Sequence, residues 1–161
     1  MKAGDMLNYG LGIGAIFAMA VKKYTNAYML FAALLGWTIL SNFVGPSSNE
    51  KFDISQIATF AFSAILFLTV VYLVKLTINH KDIFENQVIG DLEFYFKSTN
   101  ILVVFIFLLI SGGEQVKTQL EEMFPNCGNL ILLLVLFLFT YLLGIMTINI
   151  SIIVNKKITD G

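Results

Sequence analysis

Residues 130–154 read LILLLVLFLFTYLLGIMTINISIIV, twenty-five positions without a single charge. At about 1.5 Å of rise per residue, such a helix crosses the roughly 30 Å hydrocarbon layer of a bilayer with some tilt. A helix that is apolar on every side is not what the surface of a small soluble domain needs. Gly144 interrupts the run, and Thr140, Thr147, Asn149 and Ser151 add polar groups toward its end. Further uncharged windows occupy 6–21, 24–49, 54–74 and 98–113, and short charged segments separate them.

The composition agrees with a membrane solvent. Of 161 residues, 57% are hydrophobic and 13% are charged, about half the charged share of a soluble domain. That length holds four or five spans and little else, so residues 1–161 are expected to form one membrane domain. A net charge of −1 gives no electrostatic basis for direct nucleic-acid binding. All ten basic residues are lysine, and Asn, Ile and Phe are plentiful, a composition that an AT-rich bacterial gene produces.

Outward from 130–154, the spacing predicts three more spans. One covers about 26–44, flanked by Lys22, Lys23 and the rings of Tyr24 and Tyr28, expected at the headgroups, and stopped by Gly45-Pro46-Ser47. A second covers about 54–78, with Asp53 as its cap and Gln56 as the reciprocal partner. The third covers about 94–111 and breaks at Gly112-Gly113; Glu93 and Lys97, four apart, imply that its helix begins before the lipid. The N-terminal segment 5–22 is apolar but diluted by Gly10, Gly12 and Gly14, and is expected to lie at the cytoplasmic interface. Its likeness to a cleavable signal is weak, because Asp5 cancels Lys2 and cleavage would leave Lys22 and Lys23 outside. Residues 114–124 read as a short amphipathic helix on the outer membrane surface, with Val116, Leu120, Met123 and Phe124 toward lipid. Pro125 and Asn126 then turn the chain back. The expected fold is an all-α integral membrane protein: a four-transmembrane-helix bundle plus a short N-terminal apolar helix and a short amphipathic outer helix.

Lysine placement orients these spans. With both termini inside a bacterial inner membrane, the cytoplasmic side holds Lys2, Lys22, Lys23, Lys75, Lys81, Lys97, Lys156 and Lys157, and the outer side Lys51 and Lys117. If 6–21 also crosses, only Lys2 changes side.

Candidate chemistry is sparse. Gly10-Leu-Gly12-Ile-Gly14 formally fits a dinucleotide fingerprint, but no strand precedes it and no acidic residue lies between Asp5 and Glu50 to hold a ribose. Close helix packing or a bend is the better reading. His80 stands alone beside Lys81 and Asp82, and Cys127 is the single cysteine, so neither a multi-residue metal site nor an internal disulfide is expected. Glu121 and Glu122 are adjacent, hence about 100° apart on a helix, and do not face each other. No acidic residue lies deep in the four spans, which disfavours proton-coupled transport. The Asn149-Ile-Ser151 sequon falls inside a span. No cofactor is expected, and an enzyme is the weakest class.

Two kinds of surface remain. Small residues at Ala32 and Gly36, and Ser55, Thr59 and Ser63 at four-residue spacing, permit close helix packing and are expected to drive self-assembly. The 79–97 segment mixes acids with large apolar groups. It is expected either to cap the protein's own helices or to dock a cytosolic partner through Phe84, Glu85, Asp91, Glu93 and Tyr95. Two functional classes follow: a membrane anchor or sensor that engages a cytosolic protein, and a small oligomeric pore-former or toxin-immunity protein. Four compact spans with both ends inside, the aromatic and acidic segment His80–Lys97 and the short outer helix Glu114–Phe124 together resemble the membrane subunit of the Kiwa anti-phage defence system. Immunity proteins against pore-forming colicins share a similar layout. The Kiwa resemblance implies a homo-oligomeric inner-membrane sensor that responds to phage attack at the envelope and works with a cytosolic effector.

Overall fold

Charge breaks and turn residues set the helix ends. The computed structural model describes residues 3–44, 54–86 and 90–160, and every regular element among them is helical. These are α1 (Ala3–Ala20), α2 (Tyr24–Val44), α3 (Ile54–Asn79), α4 (Lys81–Asn86), α5 (Asp91–Ser111), α6 (Gly113–Met123) and α7 (Gly128–Asp160). Among the described residues, three stretches are long and apolar enough to cross a membrane: Phe60–Asn79, Asp91–Leu109 and Gly128–Asp160. The four expected spans fall inside α2, α3, α5 and α7. The expected Asp53 cap and the 45–53 turn lie outside the described residues.

Two tight connections reverse the chain. After α1, the Lys23 N–H donates to Ala18 O at 2.8 Å and the Lys22 N–H to Met19 O at 3.0 Å. This paired pattern closes a helix with one left-handed residue, here Lys22 at φ 59° rather than the usual glycine, at a cost of about 1 kcal/mol. Between α6 and α7, Cys127 N–H donates to Phe124 O at 3.1 Å across Pro125 and Asn126. Asn126 has φ 66°, so Pro then Asn form the turn that the sequence implied. At the start of α7, a Cβ on Gly128 would lie 3.0 Å from the Glu121 backbone nitrogen, so only glycine lets α6 fold this closely onto α7. The amphipathic helix is thus partly covered by its own chain: Val116 and Leu120 are half-buried, while Met123 and Phe124 remain exposed.

Packing runs α1 on α2, α2 on α3, α3 on α7, α7 on α5, and α5 back onto α1. Five helices therefore close a ring, and α1 is one of its walls rather than a detached interfacial helix. The glycines make that possible. Gly12 is buried with its α-carbon face on the ring of Phe107 of α5, and Gly14 faces Leu30 of α2. Gly10 faces open space. The close-packing reading of the glycine segment holds at Gly12 and Gly14.

Inside the ring, Tyr28, Phe31, Leu34, Val70, Leu73, Leu92, Ile106, Leu143 and Ile150 belong to one core. On α7 the buried positions Thr140, Leu143, Thr147, Ile150 and Val154 alternate by three and four, the seam of a shallow left-handed crossing. Three buried threonine hydroxyls are satisfied locally. Thr147 donates to Leu143 O at 2.8 Å, Thr99 to Tyr95 O at 2.8 Å and Thr77 to Val74 O at 2.9 Å. Such back-bonding lets a polar side chain sit in apolar surroundings without an unmet donor. Gly36 is also used within the chain, since a Cβ there would touch Phe67 of α3 at 3.4 Å. Ala32 packs against the same core. Gly36 therefore packs α2 on α3 within the chain, while Ala32 and Gly36 both stay partly exposed. Ser63 is half-buried; the side chains of Ser55 and Thr59 lie outside the described set.

Candidate functional site at the lysine-rich end

One end of the bundle collects the α1–α2 turn, the close of α3, α4, the start of α5 and the close of α7. The up-and-down course of the chain puts Lys22, Lys23, Lys75, Lys81, Lys97, Lys156 and Lys157 there, with His80, Asp82, Asp91 and Glu93 among them. Lys117 lies on α6 at the other end. The last six described residues of α7, 155–160, are all exposed and project past the core. Lys156 and Lys157 close that helix, where positive charge complements the partial negative charge of its terminus.

Beneath this rim sits an aromatic plug. Phe96 of α5 meets Tyr24 of α2 edge-on at 4.5 Å between ring centroids, Phe84 of α4 at 5.2 Å and Tyr28 of α2 edge-on at 6.3 Å. Edge-to-face geometry of this kind adds to area burial. Tyr28 is fully buried and its hydroxyl donates to Asn100 Oδ1 of α5. On the far side, the Tyr72 hydroxyl of α3 and Ser151 of α7 are 2.9 Å apart. These two polar links tie α2 to α5 and α3 to α7.

The structure sorts the expected docking residues. Phe84 is 2% exposed and is a core residue, not a contact for a partner. Leu92 and Phe96 are likewise buried. The apolar part of the 79–97 segment thus mainly seals the protein's own helix ends. Glu93 pairs with Lys97 at 2.5 Å, one turn apart as the sequence implied, with both side chains largely solvated. Such an exposed pair contributes a few tenths of a kcal/mol at most. Tyr95 is half-buried on the core and its ring lies 5.5 Å from that of Phe94. Asp91 and Phe94 are exposed. Glu85 lies outside the described side chains, as Val88 and Ile89 lie outside the described residues. Among the described residues, the outward surface of this segment includes Lys81, Asp82, Asp91, Glu93, Phe94, Lys97 and the outer edge of Tyr95.

Two features were missed in the sequence. The stripe Leu92, Phe96, Thr99, Val103 and Ile106, at alternating spacings of four and three, already marks a buried helix face that starts inside the supposed loop. Gly128 carried no signal beyond its position after a turn. Among the described residues, no group of three or more His, Cys, Asp or Glu is placed to hold a metal ion. Searches of protein-family models, of curated proteins and of solved structures find no match to this chain.

Proposed function

We propose that the chain is a multi-pass protein of a bacterial inner membrane, with its lysine-rich end at the cytoplasmic leaflet, acting as an anchor or sensor subunit for a cytosolic protein. One observation carries the membrane reading: large apolar side chains cover the outside of the ring. Phe17 on α1, Leu68 on α3, Phe105 on α5, and Leu134, Phe137 and Ile148 on α7 are each at least half exposed. A soluble monomer exposes contiguous apolar patches of only about 300–600 Å². Lipid solvates such a surface without cost. The seven lysines at one end then fix the orientation through the positive-inside rule.

In this reading α1 is a fifth crossing. Eighteen residues span about 27 Å, close to the hydrocarbon thickness. The N-terminus then faces outward, in place of the expected cytoplasmic N-terminus, and the C-terminus stays inside. The rim of Asp91, Glu93 and Phe94 is the surface offered to a cytosolic partner. The packed core of the ring favours an anchor or sensor over a pore within one protomer. Self-association is part of the proposal, through outward apolar faces such as that of α7 and the partly exposed Ala32/Gly36 face of α2. The resemblance of the other four spans, the His80–Lys97 segment and the outer helix to the Kiwa membrane subunit gives the reading its specific form, a sensor in anti-phage defence; the outward N-terminus departs from that layout.

Detergent co-purification tests this. The product of a neighbouring gene should be retained by the wild-type chain and lost from Asp91→Lys/Phe94→Ala, with the same amount of chain in the membrane. Retention by neither, together with ion leakage from liposomes that hold the chain alone, would replace the anchor reading with a pore.

A further inference from the structure

A concavity of about 360 Å³ runs along the seam of α1 and α5. Met19 and Ala20 of α1 form one wall, and Ile101, Val104, Phe105 and Leu108 of α5 form the other. Asn100 is the single polar residue among the described lining, and none of that lining is charged. Ile101, Phe105 and Leu108 are each at least half exposed on the outside of the ring, so the slot opens toward lipid in the membrane reading.

What Asn100 can offer is fixed from its other side. Tyr28 of α2 turns its ring into the core rather than to the headgroups and is fully buried. A buried phenol has to give its proton to an acceptor, and the Tyr28 hydroxyl donates to Asn100 Oδ1. The carbonyl half of the amide is thereby used within the bundle. The amide N–H groups meet no acceptor among the described residues. Apolar walls with one oriented donor and no charge select an apolar ligand that carries an acceptor oxygen. A free fatty acid fits poorly, because no cation in the lining answers its carboxylate.

Depth identifies the acceptor. Lys97, paired with Glu93, is solvated, and Lys22 lies two residues past Ala20. Asn100 is three residues further along α5 than Lys97, about 4.5 Å deeper along the helix axis. That is the level where the headgroup region gives way to hydrocarbon, and where the carbonyls of ester-linked acyl chains lie. From Asn100 to Leu108 the slot follows α5 for about 12 Å into the apolar layer.

We propose that this slot binds one acyl chain of an inner-leaflet glycerophospholipid, with the Asn100 amide donating to the ester carbonyl and the chain lying along Ile101, Val104, Phe105 and Leu108. The proposal rests on the membrane reading above. Asn100 also holds Tyr28, and the Tyr28 ring packs on Phe96, so the bound lipid is joined through two contacts to the aromatic plug under the lysine rim.

The test is native mass spectrometry of the delipidated full chain in mild detergent, with diester and diether phosphatidylglycerol of equal chain length offered together. The diether lacks the carbonyl oxygens. Wild type should retain the diester roughly threefold to tenfold more than the diether, the effect of one hydrogen bond. Asn100→Leu should retain both equally. That change leaves the buried Tyr28 hydroxyl unpaired and costs stability, so Tyr28→Phe/Asn100→Leu, which removes both partners, serves as the second variant. It should keep the wild-type circular dichroism spectrum and likewise retain both lipids equally. Val104→Phe, which fills the slot, should lower the retention of both. No diester preference in wild type, a preference that survives in the double variant, or unchanged retention in Val104→Phe would overturn the site. Chain isolated from membranes with an isoprenoid quinone in place of phospholipid would give the same donor a different carbonyl and overturn the lipid assignment. Alkaline washing of membranes reads the underlying premise separately. Wild type that stays in the pellet without a diester preference refutes the slot alone; wild type in the supernatant refutes the membrane reading as well.

Discussion

Phe96→Ala is expected to destabilise the bundle by about 3 kcal/mol, the lower end of the range for deleting a buried aromatic ring. The low end applies because lipid solvates apolar groups as well as a core does. The lost term is then the packing of the ring against its neighbours rather than its removal from water. Those neighbours are unusually many in element terms: Tyr24 and Tyr28 on α2 and Phe84 on α4 all converge on the one ring of α5. The cavity would open where α2, α4 and α5 meet, so the lysine-rich end should loosen before the rest. Phe94→Ala is the matched control. Phe94 lies two residues away on the same helix but is 64% exposed, so its truncation should change stability by less than about 0.5 kcal/mol. Thermal unfolding in detergent, followed by circular dichroism, distinguishes the pair. Equal shifts for both would mean that Phe96 is not a hub.

Gly12→Leu should separate α1 from the rest of the ring. Even a Cβ at this position would lie 1.8 Å from the Phe107 ring, and Phe107 is itself only 6% exposed. Overpacking of this kind costs about 1–3 kcal/mol where the core can shift, and more where it cannot. Because α5 holds α1 more lightly than α2 does, the helix should detach on the α5 side. Gly10→Ala is expected to be neutral or to stabilise by up to about 1 kcal/mol. It meets nothing within 4 Å and removes a helix-interior glycine. A nucleotide-binding loop would need both glycines. Limited proteolysis near Lys22 and Lys23 should therefore rise in Gly12→Leu and stay at the wild-type level in Gly10→Ala.

Much of the helical plan was legible because charge and turn chemistry are local. The windows 54–78, 94–111 and 130–154 sit inside α3, α5 and α7, bounded by the same lysines, glycines and prolines that break the apolar runs. The Glu93–Lys97 pair was legible because four-residue spacing on a helix is a one-body property. Partner choice was not. The Ala32/Gly36 spacing says that something packs closely, but the partner, Phe67 of the same chain, depends on tertiary fold. Phe84 looked available because it lies between charged residues; its burial depends on α4, a six-residue helix too short to announce itself by periodicity. The N-terminal segment was read as interfacial from its glycine content. Those glycines lower intrinsic helix preference, yet they supply the flat surface that Phe107 needs.

Native Cys127 offers the most direct test of the membrane reading and its orientation. It is exposed in the turn between α6 and α7, at the end opposite the seven clustered lysines. In spheroplasts, a membrane-impermeant maleimide should label Cys127 without permeabilisation. In Cys127→Ser/Lys157→Cys, it should label only after the membrane is opened. The reverse pattern, or labelling of both positions in a chain that fractionates away from membranes, would contradict a bilayer-embedded bundle with its lysine rim at the inner leaflet.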